Sequence, residues 1–155
     1  VHPRIQKDLY RGMPRRELYG ETLERAPFPV AYNGDIFDVA DLDALVAAYP
    51  KTRHVMIGRG ILTNPALARM INGGGKASRE ELQLFHDNLY QAYTDVMGGN
   101  AVFRMKEWWF YAKHSFTDPT SITRAIRKVR RADDYEAVAR NIFATEEMSD
   151  SPRFC

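Results

Sequence analysis

Cysteine is almost missing from this chain: of 155 residues only the last, Cys155, carries a thiol. No intrachain disulfide can form, which agrees with a reducing, cytoplasmic setting. Long hydrophobic runs are absent too, and none approaches the roughly 18 apolar residues of a membrane span. His54, His86 and His114 lack metal-ligand spacing with Cys155 or with one another, so no metal site is expected. No Ser-His-Asp arrangement follows from spacing, and Cys155, at a chain end, is a poor nucleophile. Charge of one sign is not dominant: 22 Lys/Arg face 20 Asp/Glu, a net +2. Bulk charge alone therefore implies no polyanionic partner. The opening V-H-P-R-I-Q-K is neither a signal peptide nor a natural initiator. Val1 and His2 read as the end of a strand, so the chain is expected to be part of something longer.

Apolar residues, by contrast, make up 45% of the chain, enough for a packed core. Charge is also unevenly placed. Residues 100–131 hold eight Lys/Arg against two acids, a local +6 that leaves −4 for the rest. By default such a run is a solvated face, but it also suits an RNA backbone.

Helices and short apolar runs alternate up to residue 75. A helix is expected over 14–26, with Pro14 near its first turn. F-P-V-A-Y (28–32) reads as a strand closed by Asn33-Gly34-Asp35. Asp38 caps a following helix that Pro50 stops. His54–Ile57 is the next strand, cornered by Gly58-Arg59-Gly60, and one helix is expected from near Pro65 to Asn72. Strands alternating with helices imply parallel pairing through helical crossovers. Their lack of polar alternation fits strands covered on both faces.

After the glycine triplet at 73–75 the pattern is helical throughout. Ser78 opens S-R-E-E, a capping box with Glu81. Leu82, Phe85, Leu89, Tyr93 and Val96 form an apolar stripe ended by Gly98-Gly99. Val102, Met105, Trp109, Ala112 and Phe116 form a second, from which Trp108 is displaced, as a surface or inter-domain contact would be. Asp118-Pro119 opens a helix to about Arg130, and Asp133 or Asp134 opens the last. The tail S-D-S-P-R-F-C (149–155) reads as frayed. The expected organisation is an α/β part over 1–75 and an all-α bundle over 76–155.

In parallel β/α folds the loops after the strands face one way and carry the chemistry. Three such corners exist: His2-Pro3-Arg4, Asn33-Gly34-Asp35 and Gly58-Arg59-Gly60. Glycines let a ligand approach the backbone, turn amides suit a phosphate, and Arg59 adds a two-pronged cationic grip. The same tripeptide also suits a tight turn with a solvated arginine. Asn33 and Asp35 can bind sugar hydroxyls or simply make a turn. His2 and Arg4 carry little signal alone.

Taken in order, V-H-P-R (1–4), P-V-A-Y-N-G-D-I (29–36), V-M-I-G-R-G-I-L-T-N-P (55–65) and R-M-K-E-W-W-F-Y (104–111) resemble the C-terminal half of a tRNA-dihydrouridine synthase. The resemblance implies a partial TIM barrel, its last three β/α units, followed by a helical tRNA-binding domain. Members of that family use FMN, reduced by NADPH or NADH, to convert uridine in tRNA to 5,6-dihydrouridine. By the resemblance His2 lies near the flavin ring. Asn33, Gly34 and Asp35 lie around the ribityl chain and phosphate, and Gly58, Arg59 and Gly60 grip the phosphate. Arg104 and Lys106 sit where the family offers basic residues to RNA, and the run Arg124, Arg127, Lys128, Arg130 and Arg131 extends that surface. The family's catalytic cysteine stands in an N-x-G-C-P setting that this sequence lacks, and Cys155 does not replace it. Its flavin-contacting lysine is also unmatched. No catalytic residue is therefore expected within residues 1–155, and the missing partner would be the preceding half of the same protein. Two alternatives remain at this stage: another FMN barrel of the old-yellow-enzyme type, or a stand-alone RNA-binding module.

Overall fold

Three short polar side chains decide where three of the helices begin. In the computed structural model, which describes residues 1–8 and 12–154, Asp38 Oδ1 accepts from the Asp41 N–H at 2.7 Å, and Asp41 returns the favour by accepting from the Phe37 N–H. Ser78 and Glu81 exchange the two bonds of a capping box at 3.2 and 2.9 Å. Asp118 accepts from the Thr120 and Ser121 N–H groups, with Pro119 at the first helical position.

The elements run α1 (Arg16–Arg25), β1 (Ala31–Asn33), α2 (Val39–Ala48), β2 (His54–Met56), α3 (Arg59–Thr63), α4 (Leu67–Ile71), α5 (Arg79–Met97), α6 (Ala101–Ala112), α7 (Pro119–Lys128) and α8 (Ala132–Thr145). The chain is mixed α/β, mostly helical, with one small sheet in which β1 and β2 run parallel, Asn33 opposite Met56. Val1 continues the ladder on the other side of β1. Its amino group donates to the Ala31 carbonyl and its carbonyl accepts from the Asn33 N–H.

Two clusters of buried side chains result. Tyr19, Val30, Tyr32, Ile36 and Leu45 pack between the sheet and helices α1 and α2. The larger cluster joins α5 to α8 around Trp109, Tyr135 and Phe143. At its centre the Trp109 indole N–H and the His86 ring both meet the Tyr135 hydroxyl, at 2.9 and 2.6 Å. His86 is only 3% exposed, and burial holds its pKa below the usual 6.5 against the opposing pull of Asp87.

Five expectations need correction. The strand placed at 28–32 lies at 31–33, because Pro29 has no N–H to give a ladder and Phe28 faces solvent. The helix expected from near Pro65 to Asn72 is α4, but the Gly58-Arg59-Gly60 corner before it already opens a short helix, α3, that starts at Arg59. Pro65 cannot continue α3, and Asn64 Oδ1 caps the break by accepting from Ala66 N–H at 3.2 Å. Trp108 is buried at 7% exposure, edge-on to Trp109 at 4.9 Å, because α6 presents a face wider than one stripe. The tail is not frayed up to Phe154: Ser149 N–H bonds the Ser115 carbonyl, Met148 pairs with Phe116, and Arg153 grips Asp41 with two bonds at 2.9 and 2.7 Å. Cys155 lies outside the described residues. The last helix also starts one residue earlier than its acids: Ala132 opens it without a side-chain cap, and Asp133 and Asp134 occupy the first turn, where the helix dipole favours them.

Candidate functional site

Parallel pairing of β1 and β2 puts the ends of both strands on one rim. Asn33-Gly34-Asp35 leaves β1 there, and Gly58-Arg59-Gly60 leaves β2 beside it. With His2, Phe37 and Met56 they line a cleft of about 220 Å³. The two loops interlock. A Cβ on Gly60 would stand 2.1 Å from the Ile36 carbonyl, and one on Gly34 would stand 2.1 Å from the Tyr32 hydroxyl. A larger residue at position 60 needs the two loops to move apart, and one at position 34 needs the Tyr32 ring to shift. Gly58 is different: nothing lies within 4 Å of its missing side chain, so its open face borders the cleft.

Asp35 is the electrostatic centre. Its Oδ1 accepts from Arg59 Nη2 at 2.6 Å, and its Oδ2 pairs with Arg4. The Arg4 side chain is 3% exposed and also donates to the Gly12 carbonyl at 2.8 Å. Two guanidinium groups on one carboxylate leave a net positive charge at the rim. Arg59 is further held by rings: its Cζ lies 5.7 Å from the Phe37 centroid and 5.3 Å from that of Phe154. Arg4 is the residue that sequence reasoning passed over. Its signal was the spacing His2-Pro3-Arg4 at a strand end, but nothing local tells that its side chain crosses to Asp35.

This arrangement fits the phosphate end of a nucleotide cofactor. The first N–H groups of α3 have no helical partner, the Gly58 face is open, and the cluster carries excess positive charge beside the Asn33 amide. Asp35 holds both Arg4 and Arg59 in place.

The basic residues fall into two groups. Arg104 pairs with Glu107 at 3.0 Å, and Lys106 donates to the carbonyls of Arg127 and Val129 at the end of α7. Burial, then Arg130, pushes the Lys106 pKa down. Arg124, Arg127, Lys128, Arg130 and Arg131, on α7 and just after it, are all exposed, and among the described residues none has a carboxylate partner within 4 Å. A row of exposed cations without carboxylate partners is a surface suited to phosphates. Among the described residues no cluster of His, Cys, Asp and Glu is placed to hold a metal, and no helix is long and apolar enough to cross a membrane.

A β/α rim with an anion-suited cleft, joined to a basic helical part, defines a class of phosphate-handling protein. Comparison with known proteins makes the class specific. The sequence pattern of the dihydrouridine synthase (Dus) family matches residues 1–143, and the chain belongs to that family. It is similar to the tRNA-dihydrouridine(16) synthase of Cupriavidus necator, 28% identical over 144 residues, covering 89% of this chain and 44% of that protein. Against the tRNA-dihydrouridine(16) synthase of Salmonella typhimurium the identity is 29% over 141 residues, with 86% and 44% covered. For that of Neisseria meningitidis serogroup B it is 26% over 155 residues, with 95% and 45% covered. The chain thus spans less than half the length of the curated relatives it matches.

Proposed function

We propose that this chain supplies the FMN-phosphate grip and the tRNA-binding surface of a tRNA-dihydrouridine synthase, with residues 1–75 forming the last three β/α units of its barrel and residues 76–155 its helical domain. The observation that carries this is the joining of Asn33, Arg59 and the Arg4–Asp35 pair in one cleft at the ends of parallel strands. Arg59 grips the phosphate while Asp35 keeps the guanidinium from swinging to solvent. Asn33 offers an amide to the ribityl hydroxyls, and His2 stands at the rim on the side of the ring. The flavin supplies the hydride chemistry and is itself reduced by NADPH or NADH. The exposed cations of α7 hold the RNA backbone. The relatives named above act on position 16, and we take the same uridine as the substrate of the longer protein.

The proton donor to the uracil ring lies outside residues 1–155 in this reading, so the chain alone forms no dihydrouridine. It also binds FMN weakly, because the ring has no floor without the preceding strands. The test is to assay the chain alone and joined to a preceding barrel half that carries N-x-G-C-P. Dihydrouridine should form at position 16 only in the second case. Saturable FMN binding at low micromolar concentration by the chain alone, or no product from the joined protein, contradicts the reading. Charge reversal at Arg127 and Arg130 should lower the salt dependence of tRNA binding by about one unit per arginine.

A further inference from the structure

The helical part carries a second concavity that the flavin cleft does not account for. Between α6 and α7 lies a groove of about 270 Å³. Its floor is Trp109, Ile122 and Ile126, the upper surface of the helical core. Its wall is Phe110, an aromatic ring left 51% exposed. Lys106, Lys113 and Arg127 stand around it, and no carboxylate lines it. An apolar aromatic slot edged only by cations matches the chemistry of a nucleotide, whose base has two flat faces and whose phosphates flank it. It does not match an acidic peptide, which needs no flat slot. A groove beside His86 carries the acids Asp87 and Glu136 against the single cation Arg140 and suits phosphate less well.

We propose that the α6–α7 groove receives one unstacked nucleobase of the bound RNA, its face against Phe110 and its flanking phosphates on Lys113 and Arg127. This rests on the tRNA-binding reading above and adds a place where the RNA is held by a base rather than by its backbone.

The side chains are already arranged for it. Lys113 Nζ sits 5.3 Å from the Phe110 centroid and donates to Thr123 Oγ1 at 3.0 Å. An ammonium has three donors, so that single bond leaves capacity for a phosphate oxygen. Lys106 closes the α7 end through the Arg127 and Val129 carbonyls and thereby fixes one edge of the groove. The groove is also next to the flavin-phosphate cleft. Phe110 packs on Phe154 at 5.4 Å, and Phe154 lies over Arg59 at 5.3 Å. A nucleotide held there is one aromatic ring away from the cleft, on a path that leads from the unpaired cations of α7 to the flavin.

The test titrates the full chain with an unmodified tRNA transcript and, separately, with heparin, a polyanion without bases. Phe110→Ala should weaken tRNA binding about 10-fold, within the range of one lost base–aromatic stack, and leave heparin binding unchanged. Phe110→Trp, which keeps an aromatic face, should retain tRNA affinity. Arg127→Glu with Arg130→Glu should weaken both ligands. A tRNA carrying 4-thiouridine should cross-link to the α6 or α7 peptides on irradiation. Equal tRNA affinity for wild type and Phe110→Ala, or cross-links confined to other segments, overturns the base-receptor assignment while leaving backbone binding intact. Failure of the wild-type chain to bind tRNA at all, with heparin binding normal, overturns the tRNA reading itself.

Discussion

Trp109 and Leu45 are both buried, yet they sit in cores of different kinds. Around Trp109 four helices close on one another, and the cluster has partners on every side, including a satisfied polar centre at Tyr135. Leu45 belongs to a cluster of five buried side chains beneath two three-residue strands. Met56, at the end of β2, is 59% exposed, and His54 on the same strand is exposed as well. A parallel strand normally buries both faces. One part of the chain thus packs a large shared core, while the other leaves one face of its sheet exposed. The difference teaches which part closes over its own core and which leaves a sheet face in solvent.

Trp109→Ala offers the strongest way to break this comparison. It removes the largest buried side chain and a donor to Tyr135, and should cost about 3–5 kcal/mol in denaturant unfolding of the helical part. A loss under about 1 kcal/mol would deny that Trp109 is the keystone of a closed core. Leu45→Ala should cost about 2–3 kcal/mol, confined to residues 1–75. Hydrogen exchange checks this: amides of α5 to α8 should keep their protection. Equal loss of protection in both parts would show one cooperative unit and dissolve the contrast. Gly60→Ala sharpens it at the site, since the new methyl meets the Ile36 carbonyl. It should cost about 1–3 kcal/mol by forced loop movement, measurable as a lower thermal midpoint of the β/α part.

The smallest effect is a pH dependence of the helical part alone. Burial depresses His86 in the folded state relative to its usual 6.5, so the unfolded chain takes up a proton first as pH falls. Stability contributed by the neutral ring is full above about 6.5 and declines as pH falls from there toward the folded-state pKa. Unfolding midpoints followed between pH 8 and 5 should drop for the wild type and flatten for His86→Gln. The exposed Glu81, held down to about 2 chiefly by its bonds to Arg69, gives no change in that window.

What could be read from the sequence was local. Asp38, Ser78 with Glu81, Asp118 and Gly98 act on backbone groups within a few residues, and each stands at the helix end its chemistry requires. Parallel strand ends then brought Asn33 and Arg59 to one rim, a consequence of topology. What could not be read depends on distant partners. Arg4 meets Asp35 across 31 positions, and Arg153 meets Asp41 across 112. Trp108 is buried because helices from both sides press on α6, which no single stripe records. The α3–α4 break at Asn64-Pro65 had a local cause, but the glycines before it read as a loop and hid the helix that starts on Arg59.

The most direct test of the account is flavin retention by a protein that joins this chain to a preceding barrel half. Wild type should hold FMN through purification, and Arg59→Ala should lower FMN affinity about 10-fold or more, as loss of a charge-assisted grip on phosphate requires. The same variant should leave affinity for riboflavin, which has no phosphate, unchanged. Equal FMN affinity with and without the Arg59 guanidinium would contradict the phosphate assignment and the functional reading built on it.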